Sequence, residues 1–193
     1  MFQAIGHKEE GYLTGQLLIA MPSMSDARFE HGVIFIIAHD DQGAMGLLLN
    51  KPIDGFTFHG LLLQIDLKPG KDTPTPPVYY GGPVEVGRGF VLHSPDFNSP
   101  TTIQINDEFS LSATLEVIEA IALKKGPKQA ILTLGYAGWS PGQLDQEVKD
   151  NMWLSTPTND AFVFKHDRME LWHGALEHMG IDPDNLCEAL GHA

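Results

Sequence analysis

Residues 128–153 of the chain are KQAILTLGYAGWSPGQLDQEVKDNMW, and this stretch decides the fold. The apolar run at 130–134 predicts a β-strand, and the glycines after it predict a turn at 135–139. A helix is predicted from Pro141 to about Asp150, since proline is favoured at the first helical position. A strand that turns directly into a helix indicates a domain in which a sheet packs against helices.

The same stretch contains GWSPG at 138–142, which matches the G-x-S-x-G pattern of a hydrolase nucleophile elbow. In such hydrolases the backbone N–H of the residue after the serine forms half of the oxyanion hole. That residue is Pro141 here, which has no N–H, and the loss of one such donor costs about a hundred- to a thousandfold in rate. We therefore interpret Ser140 as the N-cap of the helix, with Gln143 completing a capping box.

Apolar runs separated by glycine and proline predict the other elements. Strands are predicted at 11–20, 33–38, 44–49, 78–80, 88–93 and 102–105, and helices at 57–65, 112–125 and 168–178. The strands at 33–38 and 44–49 form a β-hairpin with a five-residue loop. Because strands cluster early and mix with helices later, we expect an α+β (mixed α/β) fold with a largely antiparallel sheet.

The chain is acidic, with 12 Lys and Arg against 25 Asp and Glu and a formal net charge of −13. Proteins bind nucleic acids largely by neutralising phosphates with Lys and Arg. The densest basic run, Lys124-Lys125 with Lys128, is short and is typical of a helix C-terminus, where the dipole favours cations. The charge therefore argues against direct contact with DNA or RNA.

Length and composition indicate a soluble protein with one hydrophobic core. The 193 residues, 42% of them hydrophobic, suit a single domain over 1–193, with 1–10 as a flexible N-terminal segment. No apolar run approaches the roughly 20 residues that span a membrane, and the N-terminus lacks a signal pattern. The single cysteine, Cys187, cannot form an internal disulfide and indicates a reducing compartment. We therefore expect a cytoplasmic protein without a membrane partner.

The glycine-rich segment YYGGPVEVGRG at 79–89 is the main candidate for a binding surface. Gly82 and Gly87 have the spacing of a phosphate loop, but Arg88-Gly89 replaces the Lys and Ser or Thr that such loops need. We interpret the segment as a turn into a strand, where bare glycine backbone lets a ligand approach closely. Combined with the aromatic residues of the turn at 135–139, the predicted surface consists of Gly81, Gly82, Pro83, Arg88, Tyr136 and Trp139. The alternative for the two aromatic residues is burial in the core.

Nine histidines raise the question of a metal site. Glu170 and His173 form one E-x-x-H unit, but the di-iron pattern needs two such units. The pairs His39-Asp40 and His166-Asp167 lie in separate predicted loops. The segment His-Ser-Pro-Asp at 93–96 could suggest a catalytic group at a strand end, but Ser94 before Pro95 is more simply a turn. We therefore expect no metal site.

Four segments in this order resemble the YqgE/AlgH family of bacterial proteins: GQLLIAMPSM (15–24), FEHGVIFIIAHDDQGAMGLLLNKP (29–52), YYGGPVEVGRGFVLHS (79–94) and LGYAGWSPGQLDQE (134–147). The resemblance implies a bifurcated, mostly antiparallel sheet that includes a small closed barrel and is surrounded by helices. It brings no catalytic residues and no cofactor, although members are often described as transcriptional regulators.

From these observations we expect a non-enzymatic binding or regulatory module that acts through a protein or small-molecule partner. Two alternatives stay open. One is a transcriptional regulator that contacts DNA directly, which the family description suggests and the net charge disfavours. The other is a hydrolase that uses Ser140 or a histidine metal site.

Overall fold

The computed structural model describes residues 11–183 and residue 186, so the predicted flexible segment 1–10 and Cys187 lie outside the described residues. In this part of the chain nine strands form the sheet: β1 (Gln16–Ala20), β2 (Val33–Asp40), β3 (Gly43–Leu48), β4 (Val78–Tyr80), β5 (Val84–His93), β6 (Ile103–Gln104), β7 (Ser110–Ser112), β8 (Ala130–Trp139) and β9 (Trp153–Pro157). Five helices accompany them there: α1 (Phe58–Gln64), α2 (Leu115–Ala122), α3 (Gln143–Lys149), α4 (Asp160–Lys165) and α5 (Leu171–His178).

The sheet is curled but open. Pairing runs in the order β6-β7-β5-β8-β3-β2-β1-β9, and every pair along this path is antiparallel. The predicted mixed α/β fold with a mostly antiparallel sheet is confirmed. The prediction of a closed barrel is wrong. Closure requires the two end strands to pair, and β6 and β9 do not pair within the described residues. The sheet is an open half-barrel.

Contacts across the sheet show the curl directly. Three strands separate β2 from β7 in the pairing order. Nevertheless, the rings of Phe35 on β2 and Phe109 just before β7 lie with their centroids 4.7 Å apart. Helix α5 packs into the same hydrophobic cluster through Trp172 and Leu176. The main core therefore lies inside the curl of the half-barrel.

The sheet forks at β8. One edge of β8 pairs with β5. On the other edge, residues 132–134 pair in parallel with β4, and residues 137–139 pair with β3. This fork is the bifurcation that the family resemblance implies.

The hairpin of β2 and β3 has a tighter loop than predicted. Asp40 pairs with Gly43, which leaves residues 41–42 as a two-residue loop instead of five residues. β2 is buried over all but its last residue, as a continuous apolar run predicts.

The predicted turn at 135–139 is wrong, since β8 continues without a break to Trp139. Its second half is held as a strand because residues 137–139 pair with β3 and Tyr136 pairs with Val84 of β5. Side chains along this half therefore alternate between the two faces of the sheet.

Helix α3 begins at Gln143, and Gly142 is its N-cap, so the predicted N-cap at Ser140 is wrong. The Gln143 N–H donates to the Ser140 carbonyl at 3.0 Å, which forms a turn before the helix starts. Gly142 completes that turn with φ of 71°, a conformation that glycine adopts without a Cβ penalty. Half of the predicted capping box is present, because the Gln143 side chain accepts a hydrogen bond from the Ser140 N–H at 3.0 Å.

Other differences concern short elements. β7, β9 and α4 were not predicted, and each has six residues or fewer. β5 begins at Val84 instead of residue 88, and α2 is shorter than predicted at both ends. None of the helices in the described ranges combines the length and apolarity needed to cross a membrane.

Candidate functional site

The two glycines of the predicted binding turn lie in the fork beside β8. The Gly81 N–H donates to the Leu134 carbonyl at 2.8 Å. A Cβ on Gly81 would overlap the Gly135 carbonyl oxygen, and a Cβ on Gly82 would overlap the Tyr136 backbone. Both glycines are buried. Their bare backbone therefore lets two chain segments touch, and it does not face a ligand as predicted.

β5 carries a bulge of several residues next to the place where Gly81 and Gly82 pack against β8. Its pairing with β8 jumps from Val84 to Gly89, so residues 85–88 lie opposite one residue of β8, Gly135. All four residues are exposed. Glu85 has φ of 49°, a strained conformation for a residue other than glycine. The bulge carries its charged residues to the rim of a cavity.

This cavity, of about 110 Å³, opens inside the half-barrel and is termed the half-barrel cavity. Its apolar lining comes from the strands and the residues next to them: Ile37, Ala38, Met45, Phe90, Ile103, Ile105, Leu111 and Ala113. The polar lining consists of Thr14, Glu85, Arg88, Gln104 and Tyr136. Apolar walls with a few polar groups are the usual form of a small-molecule site.

Arg88 is the cation of the half-barrel cavity. Its Nη1 donates to Oε2 of Glu85 at 3.0 Å. The guanidinium carbon lies 5.2 Å from the centre of the Phe90 ring, and Phe90 meets Tyr136 edge to face at 5.7 Å. Two of the six predicted binding residues, Arg88 and Tyr136, therefore share one site.

Trp139 points to the other face of β8, since it lies an odd number of residues from Tyr136 on the same strand. It is 8% exposed and packs in a cluster with Leu144 and Trp153. Trp139 and Pro83 line a second cavity of about 200 Å³, termed the indole cavity.

The polar groups of the indole cavity are largely occupied by one another. Oε2 of Glu147 accepts hydrogen bonds from the indole N–H groups of Trp139 and Trp153, at 2.8 Å each. Oε1 of Glu147 accepts another from the Gln143 side chain at 2.8 Å. A carboxylate that already binds three protein donors has little capacity left for a ligand. The half-barrel cavity is therefore the better candidate site.

The six predicted residues do not converge on one site. Arg88 and Tyr136 line the half-barrel cavity, Pro83 and Trp139 line the indole cavity, and Gly81 and Gly82 pack against β8. Sequence reasoning grouped them because it placed a turn at 135–139. Sequence reasoning also missed Glu85 and Glu147. The spacing of three residues between Glu85 and Arg88 was an available signal for an ion pair, whereas the sequence gives no signal for the role of Glu147.

Ser140 is exposed and is followed by Pro141, and within the described part of the chain its hydroxyl makes no hydrogen bond to a histidine. Among the described residues, no three His, Cys, Asp or Glu side chains come close enough together to hold a metal ion. Glu170 and His173 form only an exposed pair at 3.7 Å.

His93, the last residue of the strand predicted at 88–93, is fully buried at the end of β5. Its Nδ1 lies 2.8 Å from the Ser94 carbonyl oxygen and its Nε2 lies 3.0 Å from the Ser112 hydroxyl. Because a carbonyl only accepts, Nδ1 carries the proton and the neutral ring accepts from Ser112 through Nε2. Burial lowers the pKa of His93 below its ordinary value. This group is a structural one, since Ser112 is also buried.

Comparison with known proteins gives a consistent result. Residues 17–184 match the model of a family described as AlgH-like. The chain is 47% identical over 182 residues to the UPF0301 protein of Cereibacter sphaeroides, which covers 94% of this chain and 99% of the relative. It is 48% identical over 196 residues to a UPF0301 protein of Nitrobacter hamburgensis, with 97% and 91% covered.

Two solved structures are similar in fold. The solution structure of the AlgH protein from Pseudomonas aeruginosa has a TM-score of 0.78 and 36% identity, and covers 98% of this chain and 100% of that one. The crystal structure of a Corynebacterium diphtheriae protein has a TM-score of 0.68 with 89% and 90% covered. Its identity is 21%, so this likeness concerns the fold alone.

Proposed function

This chain belongs to the AlgH-like family, and from that premise we propose that it is a binding protein that takes a small apolar molecule into the half-barrel cavity. The sequence predicted a binding module with a protein or small-molecule partner, and this proposal selects the small molecule as the partner. The observation that carries it is the apolar cavity beside the bulge of β5, with its polar residues Glu85, Arg88 and Tyr136.

The size of the cavity limits the molecule. An engineered apolar cavity of about 150 Å³ binds benzene, so the 110 Å³ here suits a body of about four to six carbon atoms. Burying four or five methylene groups at about 0.8 kcal/mol each contributes roughly 3–4 kcal/mol. That corresponds to a dissociation constant near 1 mM for the apolar part alone. Polar contacts at the rim would tighten it.

An NMR titration of the labelled full chain with hexan-1-ol tests the proposal, because NMR detects millimolar binding. We expect saturable shifts in the backbone amides of the lining residues, such as Ile37, Phe90 and Leu111. Ala113→Phe, which places a ring in the cavity, should abolish these shifts, and Ala113→Leu repeats the test with less added volume. Ala161→Phe, at an exposed position of α4, is the matched control and should bind normally.

Absence of saturable shifts in the folded wild type, or unchanged binding in a folded Ala113→Phe protein, would refute the proposal. Direct contact with DNA is the weaker function, because the net charge of −13 repels phosphates.

A further inference from the structure

We infer that the molecule bound in the half-barrel cavity carries a carboxylate, which Arg88 binds at the rim; this inference rests on the proposed function. Glu85 and Arg88 are the charged residues among those that line the cavity. The apolar walls suit a hydrocarbon body, and the guanidinium suits an anionic end. The ligand class is therefore a short apolar acid.

The Arg88 guanidinium is held in place while most of its donors stay free. A guanidinium has five N–H donors, and Arg88 makes one hydrogen bond in the described ranges, from Nη1 to Glu85 at 3.0 Å. The Phe90 ring, 5.2 Å away, supports its flat face. The side chain is 54% exposed. Its remaining N–H groups are available for paired hydrogen bonds to a carboxylate.

Glu85 takes part of the position that the ligand carboxylate would take. It reaches Arg88 from the strained bulge, with a side chain that is 47% exposed. An exposed ion pair of this kind contributes little to folding. Its negative charge does oppose a second carboxylate beside Arg88. Glu85 is therefore an internal competitor, and removal of its charge should strengthen the binding of an acid.

A cationic molecule fits the same rim less well. Arg88 is the ion-pair partner of Glu85 in the described part of the chain, so an ammonium group at Glu85 would lie beside a guanidinium and be repelled. Arg88, in contrast, lies against Phe90, a residue of the cavity wall. An acid can thus place its carboxylate on Arg88 and its carbon chain in the cavity.

Hexanoate, hexan-1-ol and hexylamine share one carbon chain, and NMR titrations with each at pH 7 test the inference on the full chain. The wild type should bind hexanoate about tenfold more tightly than hexan-1-ol, because charge-assisted hydrogen bonds add to the apolar contact. Arg88→Gln should abolish this preference, so that hexanoate binds no more tightly than hexan-1-ol. Glu85→Gln should raise the affinity for hexanoate about two- to fivefold.

Arg28→Gln is the matched control. Arg28 is also an exposed arginine, paired with Asp26 at 2.6 Å and lying 5.7 Å from the ring of Phe29. The substitution changes the net charge as Arg88→Gln does, but Arg28 lines the indole cavity. The preference for hexanoate should therefore stay as in the wild type.

The outcomes separate this inference from the proposed function. Equal affinities for hexanoate and hexan-1-ol, tighter binding of hexylamine, or a preference that persists in Arg88→Gln would overturn the carboxylate assignment and leave the apolar site standing. Failure of all three probes to bind the wild type would remove both.

Discussion

Trp139 and Trp153 donate their indole N–H groups to the same atom, Oε2 of Glu147, at 2.8 Å each. Both side chains are buried, and their rings meet edge to face with centroids 6.2 Å apart. Trp139 lies on β8, Trp153 on β9 and Glu147 on α3, and three strands separate β8 from β9 in the pairing order. One carboxylate thus ties a helix to two distant strands.

Replacement of Glu147 should destabilise the protein in proportion to the acceptors that it removes. Glu147→Leu leaves two buried indole donors unpaired, and we expect the free energy of unfolding to fall by about 2–4 kcal/mol. Glu147→Gln keeps one acceptor oxygen and should cost about 1 kcal/mol. Urea unfolding followed by tryptophan fluorescence measures both. Equal stability of the two variants would show that the indoles do not depend on this acceptor.

Gly135 and Gly142 offer a matched pair for the packing at the fork of the sheet. Their φ angles are 72° and 71°, but a Cβ on Gly135 would overlap the backbone of Gly82 and approach the Val84 carbonyl oxygen at 2.9 Å. A Cβ on Gly142 would have nothing within 4 Å. Gly142→Ala should cost about 1–2 kcal/mol for its backbone conformation alone. Gly135→Ala should cost about 1–3 kcal/mol more, because of overpacking.

Thermal or chemical unfolding of the two alanine variants measures this difference. Equal losses of stability in the two variants would mean that the backbone at Gly82 and Val84 can move away from residue 135 at no cost in free energy. Gly135 is the neighbour of Tyr136, which lines the half-barrel cavity. Ligand binding should therefore also weaken in a folded Gly135→Ala protein and stay normal in Gly142→Ala.

The parts of the fold that could be predicted are those with a strong local pattern. The β-branched run of β2 is buried almost throughout, and α1 begins after Thr57, whose hydroxyl accepts from the Gly60 N–H at 3.0 Å. β7 and β9 show no such pattern, because three and five residues are too few for a period and their positions depend on partners far away in sequence. Whether the sheet closes into a barrel likewise depends on pairing between distant strands, which no local segment of the sequence encodes.

Of the residues that line the candidate site, two were among the six predicted from the sequence. Arg88 and Tyr136 do share the half-barrel cavity, whereas Trp139 lies on the opposite face. The error came from the glycines at 135 and 138, which suggested a turn. Pairing with β3 and β5 on both edges holds this segment as a strand, and that is a tertiary effect.

The turn before α3 leads to a prediction about its cap. Ser140→Ala should change the free energy of unfolding by less than about 0.5 kcal/mol, because the N-cap is Gly142 and has no side-chain bond. Gln143→Ala should cost about 0.5–1.5 kcal/mol, since Gln143 binds both the Ser140 N–H and Glu147. Urea unfolding ranks the two variants, and the reverse order would restore Ser140 as the cap.

Acidification should destabilise the protein through His93. Burial lowers the pKa of His93 in the folded state below its ordinary value of 6.5, so the unfolded chain binds the proton more readily. The stabilising contribution of the neutral ring is complete above pH 6.5 and decreases as the pH falls from there towards the lowered pKa. One such group changes the free energy of unfolding by at most about 1.4 kcal/mol per pH unit.

The test compares the pH dependence of stability in the wild type and in His93→Gln, by urea unfolding between pH 5 and about pH 8. The variant should be less stable at every pH, because Ser112 and the Ser94 carbonyl lose their partner, but its stability should fall less steeply below pH 6.5. The difference in slope is specific to the proton, since a purely structural loss would shift both ends of the curve alike. An NMR titration of the wild type supplies the direct check: the His93 ring must titrate below its ordinary value of 6.5, and a ring already half protonated at or above pH 6.5 would contradict the assignment.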